Sequence, residues 1–292
     1  MNLDGRVAIV TGAGAGLGRS HARLLARYGA KVVVNDLGEG AEKVAAEIEA
    51  AGGEALAACG SVTDEAQVTA MVEAACSRWG SVHILVNNAG ILRDASFAKM
   101  SIDDFRTVVD VHLMGAVNCS KAVWGLMREQ QYGRIVMTTS SSGLFGNFGQ
   151  ANYGAAKMAL VGLMQTLAIE GAKNNIRVNS LAPTASTAMT DGLLPAPMKA
   201  ILVPERVSPG LLQLVVENAP TRAILCAGAG HFERAYVTLT QGAFVGDGED
   251  AAEQVSAQWD AIGDRAGETV PESGGAQIQR EIMAASQAAS QS

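Results

Sequence analysis

Apolar residues along the chain follow two different periods. Short runs rich in β-branched residues, Val7 to Val10, Lys31 to Asn35, Ala55 to Cys59, Ile84 to Asn87, Arg134 to Thr139 and Ile176 to Leu181, read as strands. Between them, Leu17 to Tyr28, Ala41 to Ala51, Asp64 to Trp79, Ile102 to Arg128 and Ala151 to Lys173 carry apolar positions at helical spacing. Asp64 can cap its helix at the front and Gly80 can end it. Strands that alternate with helices imply βαβ units and a parallel sheet. Because the strands are almost wholly apolar, both sheet faces should be covered. The expected fold is α/β: a single Rossmann-type, doubly wound, mainly parallel sheet with helices on both faces, spanning residues 1–247.

Two segments depart from this rhythm. Thr184 to Pro209 carries four prolines among Met189, Leu193, Leu194, Met198, Ile201 and Leu202. It reads as a lid over a substrate rather than as a plain surface loop, because it follows the sixth strand. Residues 248–292 are rich in Ala, Gln, Glu, Ser and Gly, with helical patterning at 251–262 and 276–289. They are expected to form a C-terminal extension, partly helical or loosely ordered.

Composition narrows the class. The 292 residues are 48% hydrophobic, enough for a substantial core. A net charge of −7 without a basic cluster argues against nucleic acid or an anionic membrane as partner. Cys59, Cys76, Cys119 and Cys226 form no C-x-x-C pair, as expected of thiols in a reducing compartment, and no metal site is expected. No apolar run reaches the roughly 18 residues of a membrane span. The amino terminus enters a strand at once and the final Ser-Gln-Ser is not a peroxisomal signal, so the cytoplasm is the expected location.

Chemistry is concentrated at three places. Gly12, Gly16, Leu17 and Gly18 lie between the first strand and first helix, where backbone can approach a pyrophosphate and a helix N-terminus offers N–H groups. Their spacing, G-x-x-x-G-x-G, could equally belong to an ordinary glycine-rich turn, but Asp36 ends the second strand where a carboxylate can accept from ribose hydroxyls and repel a 2′-phosphate. NAD is therefore expected over NADP. Asn87, Asn88, Ala89 and Gly90 follow the fourth strand, at the edge where open sheets bind ligands. Arg19 reads as a solvated charge. Tyr153 alone among four tyrosines has a lysine, Lys157, four residues on, so both share one helix face. A cation within about 4–6 Å favours the phenolate of a tyrosine whose ordinary pKa is near 10. With Ser140 thirteen residues upstream, proton exchange with an alcohol becomes feasible.

Together TGAGAGLG, NNAG, Ser140 and YGAAK resemble the short-chain dehydrogenase/reductase family over about residues 3–240. VVVNDLG, VNNAGILRD, VHLMGA, YGRIVMT and GNFGQANYGAAK are most similar to its (3R)-hydroxyacyl-CoA dehydrogenase branch, the dehydrogenase portion of the peroxisomal type 2 multifunctional enzymes. The chain lacks their hydratase and sterol-carrier portions, so a free-standing counterpart is expected. The resemblance implies Tyr153 as acid/base, Ser140 as holder of the substrate oxygen, and Lys157 as ligand of the nicotinamide ribose that also lowers the tyrosine pKa.

It also marks departures. His112 stands where the wider family has an asparagine, and a structural imidazole is the favoured reading over a proton relay. Ser61 replaces an aspartate near adenine, leaving the Val62 backbone as the expected contact. Ala15 stands where NADP-preferring members often have a basic residue. Pro183-Thr184 replaces Pro-Gly, which leaves the nicotinamide-amide contact open between Thr187 and Thr190. The resemblance further implies a homodimer or homotetramer. The leading expectation is NAD-dependent oxidation of a (3R)-hydroxyacyl-CoA. Its rivals are a hydroxysteroid dehydrogenase acting on a free ring alcohol and an inactive NAD-binding scaffold.

Overall fold

The computed structural model describes residues 1–187 and 195–290. Among them, eight strands make one sheet in the order β3-β2-β1-β4-β5-β6-β7-β8. These are β1 (Val7–Val10), β2 (Lys31–Asp36), β3 (Ala55–Cys59), β4 (Ile84–Asn87), β5 (Gly133–Thr138), β6 (Ile176–Thr184), β7 (Ile224–Gly228) and β8 (His231–Ala235). The pairings from β3 through to β7 are all parallel. Every residue of β1, β4 and β5 is buried, as strands covered on both faces require.

One face is covered by α1 (Gly16–Arg27), α2 (Gly40–Ala50) and α9 (Ser208–Val215), whose apolar side chains join the core cluster of Val10, Leu25, Val32, Val44, Ile48, Leu211 and Val215. Against the other lie α3 (Glu65–Trp79), α5 (Gly115–Glu129) and α7 (Ala151–Gly171), with α4 (Ile102–Val109) packed on α7. Asp64 caps α3 by accepting from the N–H groups of Ala66 and Gln67, and Gly80 ends that helix at φ 79°. The chain order reverses between β1 and β4, so the crevice at their carboxyl ends is the binding position of such a sheet.

The structure corrects the sequence reading in three places. The single helix expected over 102–128 is broken by a π-helical segment, Asp110–Met114, which widens the helix at His112. The strands β7 and β8 extend the sheet beyond the six expected. Three short helices were also unforeseen: α6 (Ser141–Phe145), α8 (Ala196–Ile201) and α9. Of the expected lid, Met189, Leu193 and Leu194 lie outside the described residues, as does Thr190.

The chain divides into two compact units, residues 1–234 and 235–292. The second holds α10 (Ala251–Ala257), α11 (Trp259–Ile262), α12 (Gly274–Ala289) and a bridge between Leu239 and Thr269. Among the described residues no helix is long and apolar enough to cross a membrane.

Candidate active site

The glycine segment after β1 is built for close approach. Gly12 has φ 60°, and a Cβ there would sit 2.7 Å from the Ala89 Cα. Asn88 fastens this backbone from across the crevice, its amide donating to the carbonyls of Thr11 and Gly12 at 2.9 and 3.0 Å. Thr11, which sequence reasoning missed, completes the tie: its hydroxyl accepts from the N–H groups of Asn88 and Ala89 at 3.0 Å. The carbonyl-side edges of β1 and β4 are thereby locked together.

Helix α1 begins at Gly16 with no acidic residue in its first turn and no side-chain cap from Ala15. Its first N–H groups therefore suit an anion. Asp36 stands at the end of β2, accepting from the Gly14 N–H at 2.8 Å and the Leu37 N–H at 2.7 Å. Gly14 also escaped the sequence reading, although it lies within the same motif. Thr187 Cγ2 lies 3.1 Å from where a Gly16 Cβ would be, which brings that threonine to the glycine loop. Arg19 is paired with Glu47 of α2 at 2.9 Å rather than turned to the crevice. Ser61 donates its N–H to Gln67 and bonds Thr63 through its hydroxyl, while the carbonyl of the buried Val62 already accepts from Asn118. An uncapped helix end, a crowded glycine turn and a carboxylate oriented by two backbone N–H groups, at the ends of β1 and β2, fit a dinucleotide.

Ser140, Tyr153 and Lys157 are brought together beside this crevice. Ser140 follows β5 and caps α6, its hydroxyl accepting from the Ser142 N–H at 3.2 Å and hydrogen-bonded to the Tyr153 phenol. Tyr153 sits in the first turn of α7. Lys157, one turn on, is fully buried and donates to the Thr138 carbonyl at 2.6 Å. Its Nζ lies 5.5 Å from the Tyr153 ring centroid.

Burial holds the tyrosine pKa above its ordinary value; the Ser140 hydrogen bond opposes this and the Asp94 charge reinforces it. The expectation that Lys157 lowers it is not met in this arrangement. Burial pushes Lys157 itself down to about 7, so at neutral pH its charge is only partial.

His112 presents its ring edge-on to Tyr153, with centroids 5.2 Å apart and planes at 88°. Its Nε2 faces the backbone of Ile91, 2.8 Å from the carbonyl oxygen and 3.1 Å from the nitrogen, while Nδ1 is buried with no hydrogen-bond partner in the protein. Burial, aided by the Lys157 charge, lowers its pKa to about 3. The ring also occupies the space beside Gly90, where a Cβ would come within 2.2 Å of it. His112, kept neutral by burial, thus packs between Gly90 and Tyr153 and is hydrogen-bonded to the Ile91 backbone. Among the described residues no cluster of ligating side chains could hold a metal.

Residues 6–196 match the family model described as short chain dehydrogenase. A short-chain type dehydrogenase/reductase of Mycobacterium tuberculosis is 45% identical over 276 residues, 91% of this chain and 96% of that protein. The peroxisomal multifunctional enzyme type 2 of Drosophila melanogaster is 52% identical over 228 residues, which are 75% of this chain but only 38% of that enzyme. Its full-length structure matches 97% of this chain and 49% of its own with a TM-score of 0.82 and 40% identity. A 7α-hydroxysteroid dehydrogenase complexed with NADH and 7-oxo glycochenodeoxycholic acid matches with a TM-score of 0.73 and 31% identity, over 78% of this chain and 95% of that one.

Proposed function

The chain belongs to the short-chain dehydrogenase family, and on that footing we propose that it is an NAD-dependent oxidoreductase acting on the C3 hydroxyl of (3R)-hydroxyacyl-CoA thioesters. The observation that carries this reading is the convergence of Ser140, Tyr153 and Lys157 on the crevice bounded by the glycine loop. The backbone of Gly12, Gly16, Leu17 and Gly18 would hold the diphosphate. Asp36 would hold the adenosine ribose, Ser61 and Val62 the adenine, and Asn88, Ala89 and Gly90 the middle of the cofactor. Bound NAD would supply a hydride acceptor and a positive charge beside the phenol.

The chain's own groups manage the proton. Tyr153 takes the hydroxyl proton as C3 is oxidised, and returns it in reduction. Ser140 donates a hydrogen bond to the oxygen as charge develops on it. Lys157 would bind the nicotinamide ribose. Burial opposes loss of the phenol proton, so oxidation should gain as pH rises.

The acyl-CoA substrate is supported by the likeness to the multifunctional enzyme, of which this chain spans less than half. The half-exposed Met198 and Ile201 of α8 supply apolar surface for an acyl chain. A steroid alcohol is the second reading, favoured by the likeness to the hydroxysteroid enzyme. An inactive scaffold is disfavoured because all three reactive groups are in place. The free cysteines accord with a cytoplasmic setting.

The test is NADH formation from a (3R)-hydroxyacyl-CoA, its (3S) epimer, a truncated thioester and a free 17β-hydroxysteroid. The (3R) thioester should far exceed the truncated form in kcat/KM, since the remote nucleotide assists positioning at C3. The (3S) epimer should fail. Turnover of the free steroid alone would overturn the acyl-CoA assignment.

A further inference from the structure

The loop after β4 is fastened to the entrance of α7 by three separate contacts. Ala95 donates its N–H to the Gly149 carbonyl at 2.9 Å, and the Asn152 amide donates to the Arg93 carbonyl at 2.9 Å. Between these, the Gln150 amide donates to the Asp94 carboxylate at 2.7 Å. Gln150 also works in the opposite direction, its carbonyl oxygen accepting from the Ser142 hydroxyl at 2.7 Å and the Asn147 amide at 3.0 Å. Ser142 in turn donates its N–H to Ser140, which is bonded to Tyr153. A continuous path of hydrogen bonds and backbone thus runs from Asp94 through Gln150 and Ser142 to the reacting hydroxyls. Asn152, buried beside it, accepts from the Tyr153 N–H at 2.7 Å.

We propose that Asp94, clamped by Gln150, is a positioning residue of the reaction. It ties the loop after β4 to the first turn of α7 and, through Gln150 and Ser142, steadies Ser140 beside the Tyr153 phenol, so that it sets the pH range over which Tyr153 gives up and regains its proton. The inference rests on Tyr153 being the acid/base.

Few other charges compete for this control among the described residues. Lys157 reaches the tyrosine from α7 itself and His112 from the π-helical segment. The α6 segment Ser141–Phe145 and the end of β5 at Met137 and Thr138 carry no charged side chain. On α4, Asp104 faces Arg93 at 3.7 Å and Asp103 faces Arg106 at 3.4 Å. The net effect of Asp94 is to oppose the phenolate, in the same sense as burial. Its pair with Gln150 lies at the surface, so removing the charge leaves the core untouched.

The experiment is the alkaline titration of Tyr153 in the full chain without cofactor, read as the ultraviolet tyrosinate signal of wild type minus that of Tyr153→Phe. It is repeated in Asp94→Asn, Asp94→Glu and Gln150→Ala backgrounds, over the pH range in which circular dichroism shows the fold intact. Asp94→Asn should move the titration to lower pH and Gln150→Ala should move it part of the way, whereas Asp94→Glu should stay near wild type. The rising limb of kcat/KM for NAD-linked oxidation of a (3R)-hydroxyacyl-CoA should move in the same order. An unmoved titration in Asp94→Asn, beside an inactive Tyr153→Phe, would overturn the proposal alone. Wild-type turnover by Tyr153→Phe would instead overturn the acid/base assignment and with it the catalytic meaning of Asp94.

Discussion

Lys157 points its ammonium at the Thr138 carbonyl, 2.6 Å away, while lying 5.5 Å from the centre of the Tyr153 ring. A lysine so buried binds its proton poorly, its pKa falling from 10.5 to about 7. Between those two values the unfolded chain holds a proton that the folded chain has released. Stability therefore rises with pH across that window and is flat with respect to this group below it. The melting temperature of wild type minus that of Lys157→Met should climb from about pH 7 towards pH 10. A difference independent of pH would show that Lys157 keeps its proton in the fold.

Asp36 holds Gly14 and Leu37 through their N–H groups and stands where a 2′-phosphate would have to fit. Wild type should use NAD far better than NADP, and Asp36→Ala should narrow the gap by weakening NAD binding and relieving the repulsion. Kinetics with both cofactors check this; equal wild-type efficiency would refute it.

His112, neutral with a pKa near 3, contributes no titration between pH 5 and 9. His112→Asn should leave the shape of the pH–rate profile unchanged. His112→Ala should destabilise by roughly 2–5 kcal/mol, the range for truncating large buried side chains, because it empties the space between Gly90 and Tyr153. An acidic limb near neutrality that vanishes in His112→Asn would instead make the imidazole a proton carrier.

The strands β1, β3 and β4 were legible to the residue because short, almost wholly apolar runs bounded by helix patterns and turn residues have few other readings. β8 was not: it exposes His231, Phe232, Glu233 and Arg234, and an edge strand of that composition shows no buried face. The π-helical turn at His112 left no mark either, since one extra residue in a turn changes no propensity. Gly12, Asp36, Ser140, Tyr153 and Lys157 could be named from motif spacing. The Asp94–Gln150 contact joins positions 56 residues apart and exists only once the chain has folded. The direction of the tyrosine pKa likewise depends on burial, which the four-residue spacing to Lys157 does not reveal.

Ile102, Met114, Met158 and Ile169 are exposed across α4, the π-helical turn and α7, more apolar surface than a solvated face usually carries. Pairing of these helices about a two-fold axis would cover it, and a homodimer or a tetramer built on one is expected. Light scattering at micromolar concentration should give at least a dimer, and Met158→Glu with Ile169→Glu should shift it towards monomer. A monomeric wild type would contradict this.

The most direct measurement pairs turnover with cofactor binding in Tyr153→Phe. Removing one hydroxyl leaves the glycine loop, Asp36 and Lys157 in place, so calorimetry should record NAD affinity close to wild type. Turnover of the (3R)-hydroxyacyl-CoA should fall by roughly 10²- to 10⁴-fold, the contribution of a positioned acid/base. Turnover within about tenfold of wild type, with NAD still bound, would contradict the account, because the proton would then be leaving by another route.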